Sequence, residues 1–110
     1  MTKITFYTND QNEFLGFRSE GHSGYAEAGE DIVCAAISVL VINTVNSIMQ
    51  FTDTQVGVDM DEEMAYIDVS FYNKPDSGAE LLVRSLILGL QSIQEDEEKK
   101  EFVNLIFEEV

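Results

Sequence analysis

The chain has 110 residues, 45% of them hydrophobic, a share that supports one folded core rather than an extended disordered coil. Its 21 acidic residues against 6 basic ones leave a formal net charge of −15, which excludes direct binding to nucleic-acid phosphates and disfavours anionic membrane surfaces. A basic polypeptide is the partner that such a field attracts.

Ile4-Thr5-Phe6-Tyr7-Thr8 is β-branched and aromatic and predicts a strand. Asn9-Asp10-Gln11-Asn12 forms a polar turn, and Phe14-Leu15-Gly16-Phe17-Arg18-Ser19 completes a hairpin, with Gly16 marking a bulge or a close backbone approach. From Gly21 to Gly29 small residues dominate and regular structure is expected to lapse. A long helix is predicted from Asp31, as N-cap, to about Gln50. It is apolar around most of its girth, which calls for cover by a sheet, by a neighbouring helix and by a second subunit. The longest apolar stretch, Ile32 to Ile42, is shorter than the roughly 20 residues needed to span a bilayer core.

A second hairpin follows. Gln55-Val56-Gly57-Val58 and Ala65 to Phe71 are its strands, Asp59 to Met64 its connection, and Ile67, Val69 and Phe71 point inward. Ser77 with Glu80 has capping-box spacing and opens a second helix to about Glu95, with Leu82, Leu86, Leu90 and Ile93 as its buried stripe. The charged run Asp96 to Glu101 reads as a solvated helix end, and Phe102 to Phe107 as a short terminal edge strand. The expected fold is therefore α+β: a single ββαββα domain over residues 1–110, with an antiparallel sheet carrying two helices on one face and a short C-terminal strand.

The chain has one histidine and one cysteine, His22 and Cys34. A lone cysteine excludes an intrachain disulfide, and no basic-then-apolar leader opens the sequence, so a cytoplasmic protein with a reduced thiol is expected. Cys34 falls in the first turn of the predicted long helix, where free amides favour a thiolate and could hold an oxyanion. His22, at the exit of the second strand, could take the thiol proton. Asp31 either caps the helix or accepts the other ring nitrogen of His22 and fixes its tautomer. Ser38 follows Cys34 by four residues, on the same helical face. The bland alternatives are a small buried cysteine, a surface histidine and a packing serine. One Cys and one His supply too few ligands for zinc, so no metal or other cofactor is expected, although Glu20, Glu27 and Glu30 lie nearby.

Gly21-His22-Ser23-Gly24 followed by Asp31-Ile32-Val33-Cys34-Ala35-Ala36-Ile37-Ser38 closely resembles the signature of the bacterial ribosomal-processing cysteine protease family, Prp. Position 23, commonly Ala in such motifs, is Ser here; both are small. The resemblance implies a cytosolic, homodimeric cysteine endopeptidase that removes an N-terminal extension from a large-subunit ribosomal protein, the twenty-seventh. It places Cys34 on the nucleophile and His22 on the general base. Asp31, Ser38, Gly21 and Gly24 fall on supporting positions, and the glycine-rich segment on a loop thought to close over substrate. The family cleaves after an aromatic pair, and Tyr25, Phe17 or a partner subunit would line the apolar pocket. Two readings of other classes stand beside it: a non-catalytic acidic adaptor for a basic ribosomal protein, and a thiol redox sensor.

Overall fold

The structure is a computed structural model that describes residues 1–21, 28–61 and 66–110, with the side chains of 28–31 outside the description. The elements are β1 (Thr2–Thr8), β2 (Phe14–Glu20), α1 (Ala28–Phe51), β3 (Val56–Asp61), β4 (Tyr66–Phe71), α2 (Ser77–Gln94), a 3₁₀ turn (Lys100–Phe102) and β5 (Val103–Glu109). The five strands form one sheet in the order β3-β4-β2-β1-β5.

The expected antiparallel sheet is mixed. Neighbours pair antiparallel from β3 through β1, but β5 runs parallel to β1, from Thr2 opposite Val103 to Thr8 opposite Glu109. The connections explain it. β2 and β3 are both antiparallel to β4, so α1 is a crossover between parallel strands. β4 and β1 likewise share a direction, and α2 carries the chain from β4 over β2 and β1 to a parallel β5. The two crossovers travel in opposite directions from oppositely directed strands. The right-handed rule for such connections therefore puts both helices on the same face.

That face holds the core. Ile4, Phe6, Phe17, Ile67 and Val69 of the strands meet Val33, Ile37, Val41, Val45 and Ile48 of α1 and Ala79, Val83, Leu86 and Leu90 of α2. β4 alternates as its sequence predicts, Ile67 and Val69 being buried while Ser70 is exposed and Asp68 half-exposed. On α2 the buried stripe is shifted toward Ala79 and Val83, and Leu82 and Ile93 pack at its margin. In the first hairpin the pairing slips between Tyr7 and Thr8, so that Leu15 is bulged out beside Gly16.

Four local expectations are corrected. Helix α1 starts at Ala28, so Gly29 is helical and Asp31 lies inside the first turn rather than at the N-cap. Helix α2 is capped by Asp76, whose Oδ1 accepts from the Ala79 amide at 2.8 Å, which makes Ser77 its first helical residue. Strand β3 continues to Asp61 instead of stopping at Val58, because Val56, Val58 and Met60 alternate toward the helices while Asp59 and Asp61 take the outer face. The charged run after α2 turns rather than extending the helix, with the Asp96 carboxylate accepting from the Glu98 amide and from Lys99 Nζ. The connection between β3 and β4, at 62–65, lies outside the described residues.

Helix α1 also exceeds the apolar length expected for it. Ile32–Phe51 is 20 residues long and reaches a mean hydropathy of 2.1 over an 18-residue window, because the polar residues that follow Ile42 are uncharged, and by length and composition it could cross a membrane. Core helices meet the same measure, and here the Val33–Ile37–Val41–Ile48 stripe is buried against the sheet and α2.

Candidate active site

A cleft of about 210 Å³ opens where the N-terminal half of α1 crosses the end of the sheet. Its helix wall is Cys34, Ser38 and Ile42, spaced four residues apart on one side of α1. Its sheet wall takes Thr2 from β1, Ser19 from β2, Met60 and Asp61 from β3, and Tyr66 and Ile67 from β4, with Gly21 just beyond β2. Thr2, Ser19 and Ile67 are on the helix-facing side by register, since they share their alternation with core positions Ile4, Phe17 and Val69, and Met60 stands opposite Ile67.

Cys34 and Ser38 lie on one side of α1, as their spacing predicts. Both side chains are half-buried and both line the same cleft. Gly21 lines it as well, so the residue preceding His22 in the chain is at the site. His22 and Gly24 themselves, and Tyr25, lie outside the described residues, as do the side chains of Glu27, Glu30 and Asp31.

Two expectations about the chemistry change. Because α1 begins three residues earlier than predicted, Cys34 is in its second turn. The unpaired amides of a helix are its first four, so the amide of Cys34 lies within the intrahelical ladder and the dipole acts on the sulfur from a turn away. An oxyanion beside this sulfur needs donors from elsewhere. Phe17, expected to line the substrate pocket, is fully buried and packs in the core, its ring tilted against Phe6 at 5.6 Å and edge-on to Phe71 at 6.2 Å. It supports the floor of the fold rather than touching a ligand.

The sequence reading missed the sheet wall of the cleft. Sequence alone divides Met60, Asp61 and Tyr66 between a connection and a strand end, yet the alternation Val56, Val58, Met60 is a legible signal for a longer β3. On the outer face beside the cleft, Arg18 balances part of the acidic surface. Its Nε is 3.6 Å from Asp68 Oδ1 and its Nη1 is 3.9 Å from Glu20, and its guanidinium lies 5.3 Å from the Tyr66 ring centre. Asp59 stands directly across β4 register from Asp68, which leaves two like charges adjacent and one arginine between strands β2 and β4 to offset them.

A family model described as Cysteine protease Prp matches residues 1–102. The chain is 28% identical over 100 residues to the ribosomal processing cysteine protease Prp of Bacillus subtilis, covering 87% of this chain and 89% of that protein. The Staphylococcus aureus protein of the same name is 25% identical over 96 residues, covering 87% of this chain and 91% of its own. Among solved structures, the S. aureus ribosomal processing protease Prp in complex with a substrate peptide superposes with a TM-score of 0.90 at 23% identity, over 98% of this chain and 100% of that one. A Streptococcus mutans protein superposes with a TM-score of 0.85 at 31% identity, over 100% of this chain and 99% of that one. A second S. aureus Prp structure, with a TM-score of 0.84 at 25% identity and coverage of 98% and 100%, holds a covalently linked product peptide.

Proposed function

Because the chain belongs to the cysteine protease Prp family and is therefore a peptide-bond hydrolase, we propose that Cys34 is its nucleophile and His22 its general base. The observation that carries this reading is the cleft itself, which brings Cys34 and Ser38 of α1 together with Gly21, the residue preceding His22, from beyond β2. In the proposed reaction the Cys34 thiol gives its proton to His22 and the sulfur attacks the scissile carbonyl. The tetrahedral oxyanion collapses, the C–N bond breaks, and the imidazolium returns the proton to the departing amine. Water, deprotonated by His22, then releases the acyl group and restores the thiol.

Ser38, one turn along α1 from Cys34, would hydrogen-bond a reacting group in the same cleft. Asp31, one turn before Cys34, belongs on that side of the helix, where orienting His22 remains its proposed part. Gly21 and Gly24 would let the backbone flanking His22 approach the cleft. Residues 1–110 act together as one catalytic domain.

The substrate we propose is the twenty-seventh large-subunit ribosomal protein, cut at an N-terminal extension after an aromatic pair. Ribosomal proteins are basic, and the net charge of −15 favours their approach. The enzyme works in the cytoplasm, where a reduced thiol persists, without contact with nucleic acid or membrane. It works as a homodimer, which would cover the outer side of α1, where Ile32 is 64% and Val39 67% exposed.

Cleavage of a peptide spanning the extension tests the assignment. Cys34→Ala is expected to lower kcat at least about 10³-fold, with His22→Ala comparably impaired, because the pair acts as a unit. Equal cleavage by Cys34→Ala would remove the nucleophile from the scheme. Salt-sensitive binding without any cleavage would favour the acidic adaptor instead.

A further inference from the structure

The Cys34 cleft does not end at Ile42. A second, apolar groove of about 220 Å³ continues from it along α1, lined by Ile42, Val45, Asn46 and Met49 of the helix and by Val58, Met60 and Ile67 of the sheet. Three residues, Ile42, Met60 and Ile67, belong to both. The groove runs between the helix and β3, which pairs only with β4 among the described strands and so presents a free edge. Apolar side chains stand open along it, Met49 at 57% exposure, Met60 at 52% and Val58 at 42%.

We propose that this groove is a remote substrate subsite, in which an extended segment of the polypeptide being cut adds as a strand to the free edge of β3. The inference rests on the protease reading and extends it beyond the residues flanking the scissile bond. Strand addition supplies backbone hydrogen bonds along the edge of β3 from Val56 to Met60 that faces away from β4, and alternate side chains supply selectivity. Those on the helix side enter the groove between Met49 and Val58. Those on the outer side pass Asp59, where a cationic residue is favoured.

The register follows from helix geometry. Ile42 and Met49 lie 8 and 15 residues after Cys34, which at the α-helical rise is about 12 and 22 Å along the axis. An extended peptide covers that span in about four to seven residues. The substrate should therefore carry apolar side chains at alternate positions about four to seven residues from the bond that is cut. Binding energy from such a distance can be used at the reacting centre, so truncation affects kcat/KM as a whole.

The test uses the intact enzyme and a peptide with eight residues on each side of the scissile bond. Trimming one of the two sides to three residues is expected to lower kcat/KM about tenfold or more. The Met49→Asp variant should cut the long peptide about as slowly as the parent cuts the trimmed one, and should no longer distinguish them. Met49→Leu should restore the difference. N-methylation of the remote peptide amides should slow cleavage at alternate positions only. If trimming neither side matters, or Met49→Asp keeps the parent's response to trimming, the subsite is excluded. If Met49→Asp instead converts a dimer to a monomer in sedimentation, the groove is a surface between copies and the proposal fails. Absence of Cys34-dependent cleavage by the parent enzyme would overturn the underlying protease reading, a result distinct from all of these.

Discussion

At Gly16 a side chain has no room. A Cβ there would meet the Val69 carbonyl oxygen of the neighbouring strand, backbone that cannot swing away as a side chain can. The bulge at Leu15 brings β2 this close to β4, and glycine is the residue that permits it. Gly16→Ala is expected to destabilise the fold by about 1–3 kcal/mol in urea titrations, through the backbone shift it forces. Gly57→Ala makes the contrast. There the obstacle is the ring of exposed Tyr72, which can rotate, so a much smaller loss is expected in the same titration. The sequence marks Gly16 as exceptional, but which strand it touches depends on the sheet order.

Among the elements, Asp76 ties the start of α2 to the loop that follows α1. Its carboxylate accepts from the Ala79 amide at the start of α2 and from the Asp53 amide after α1, while its own amide donates to Thr54 Oγ1. The hydrogen bond from Ala79, helped by those from Asp53, Thr54 and Gly78 and opposed by burial, holds this carboxyl below its ordinary value of 3.8. A carboxylate whose folded pKa is depressed stabilises fully above the unfolded value, and that contribution fades as pH falls through the folded one. Asp76→Ala should therefore lower the melting temperature by about a few degrees at neutral pH. The gap to the parent should hold down to about pH 4 and close below it; a gap unchanged at pH 2.5 would contradict the electrostatic part of the cap. The capping role was legible as a turn-to-helix boundary, but Ser77 and Asp76 compete for it in sequence. The loop after α1, brought alongside by the fold, favours the aspartate.

At the scale of the molecule, charge and apolar surface set the partner. Twenty-one acids on a 110-residue chain create a field that draws in basic polypeptides, and free salt weakens it. Raising ionic strength from 0.05 to 0.5 M, on the order of a threefold drop in Debye length, should raise KM for a lysine-rich peptide several-fold. For a neutral peptide of the same apolar pattern it should leave KM nearly unchanged. A salt response that is the same for both peptides would remove electrostatic steering from the account.

Composition and local pattern alone determined much here: the acidic field, the two hairpins, the two helices with their approximate inner faces, and a specific Gly-His…Asp-x-x-Cys…Ser signature. These are short-range properties, read from alternation, helical spacing and the chemistry of neighbouring residues. The tertiary structure decided what depends on residues distant in the chain. It set β5 parallel to β1, buried Phe17 away from the cleft, and carried β3 to Asp61 so that both Met60, on the helix side, and Asp61, at the strand end, line the cleft of Cys34 and Ser38. A sequence fixes which side of its own element a residue occupies, but which other element lies opposite is set only when crossovers, sheet order and packing are satisfied together.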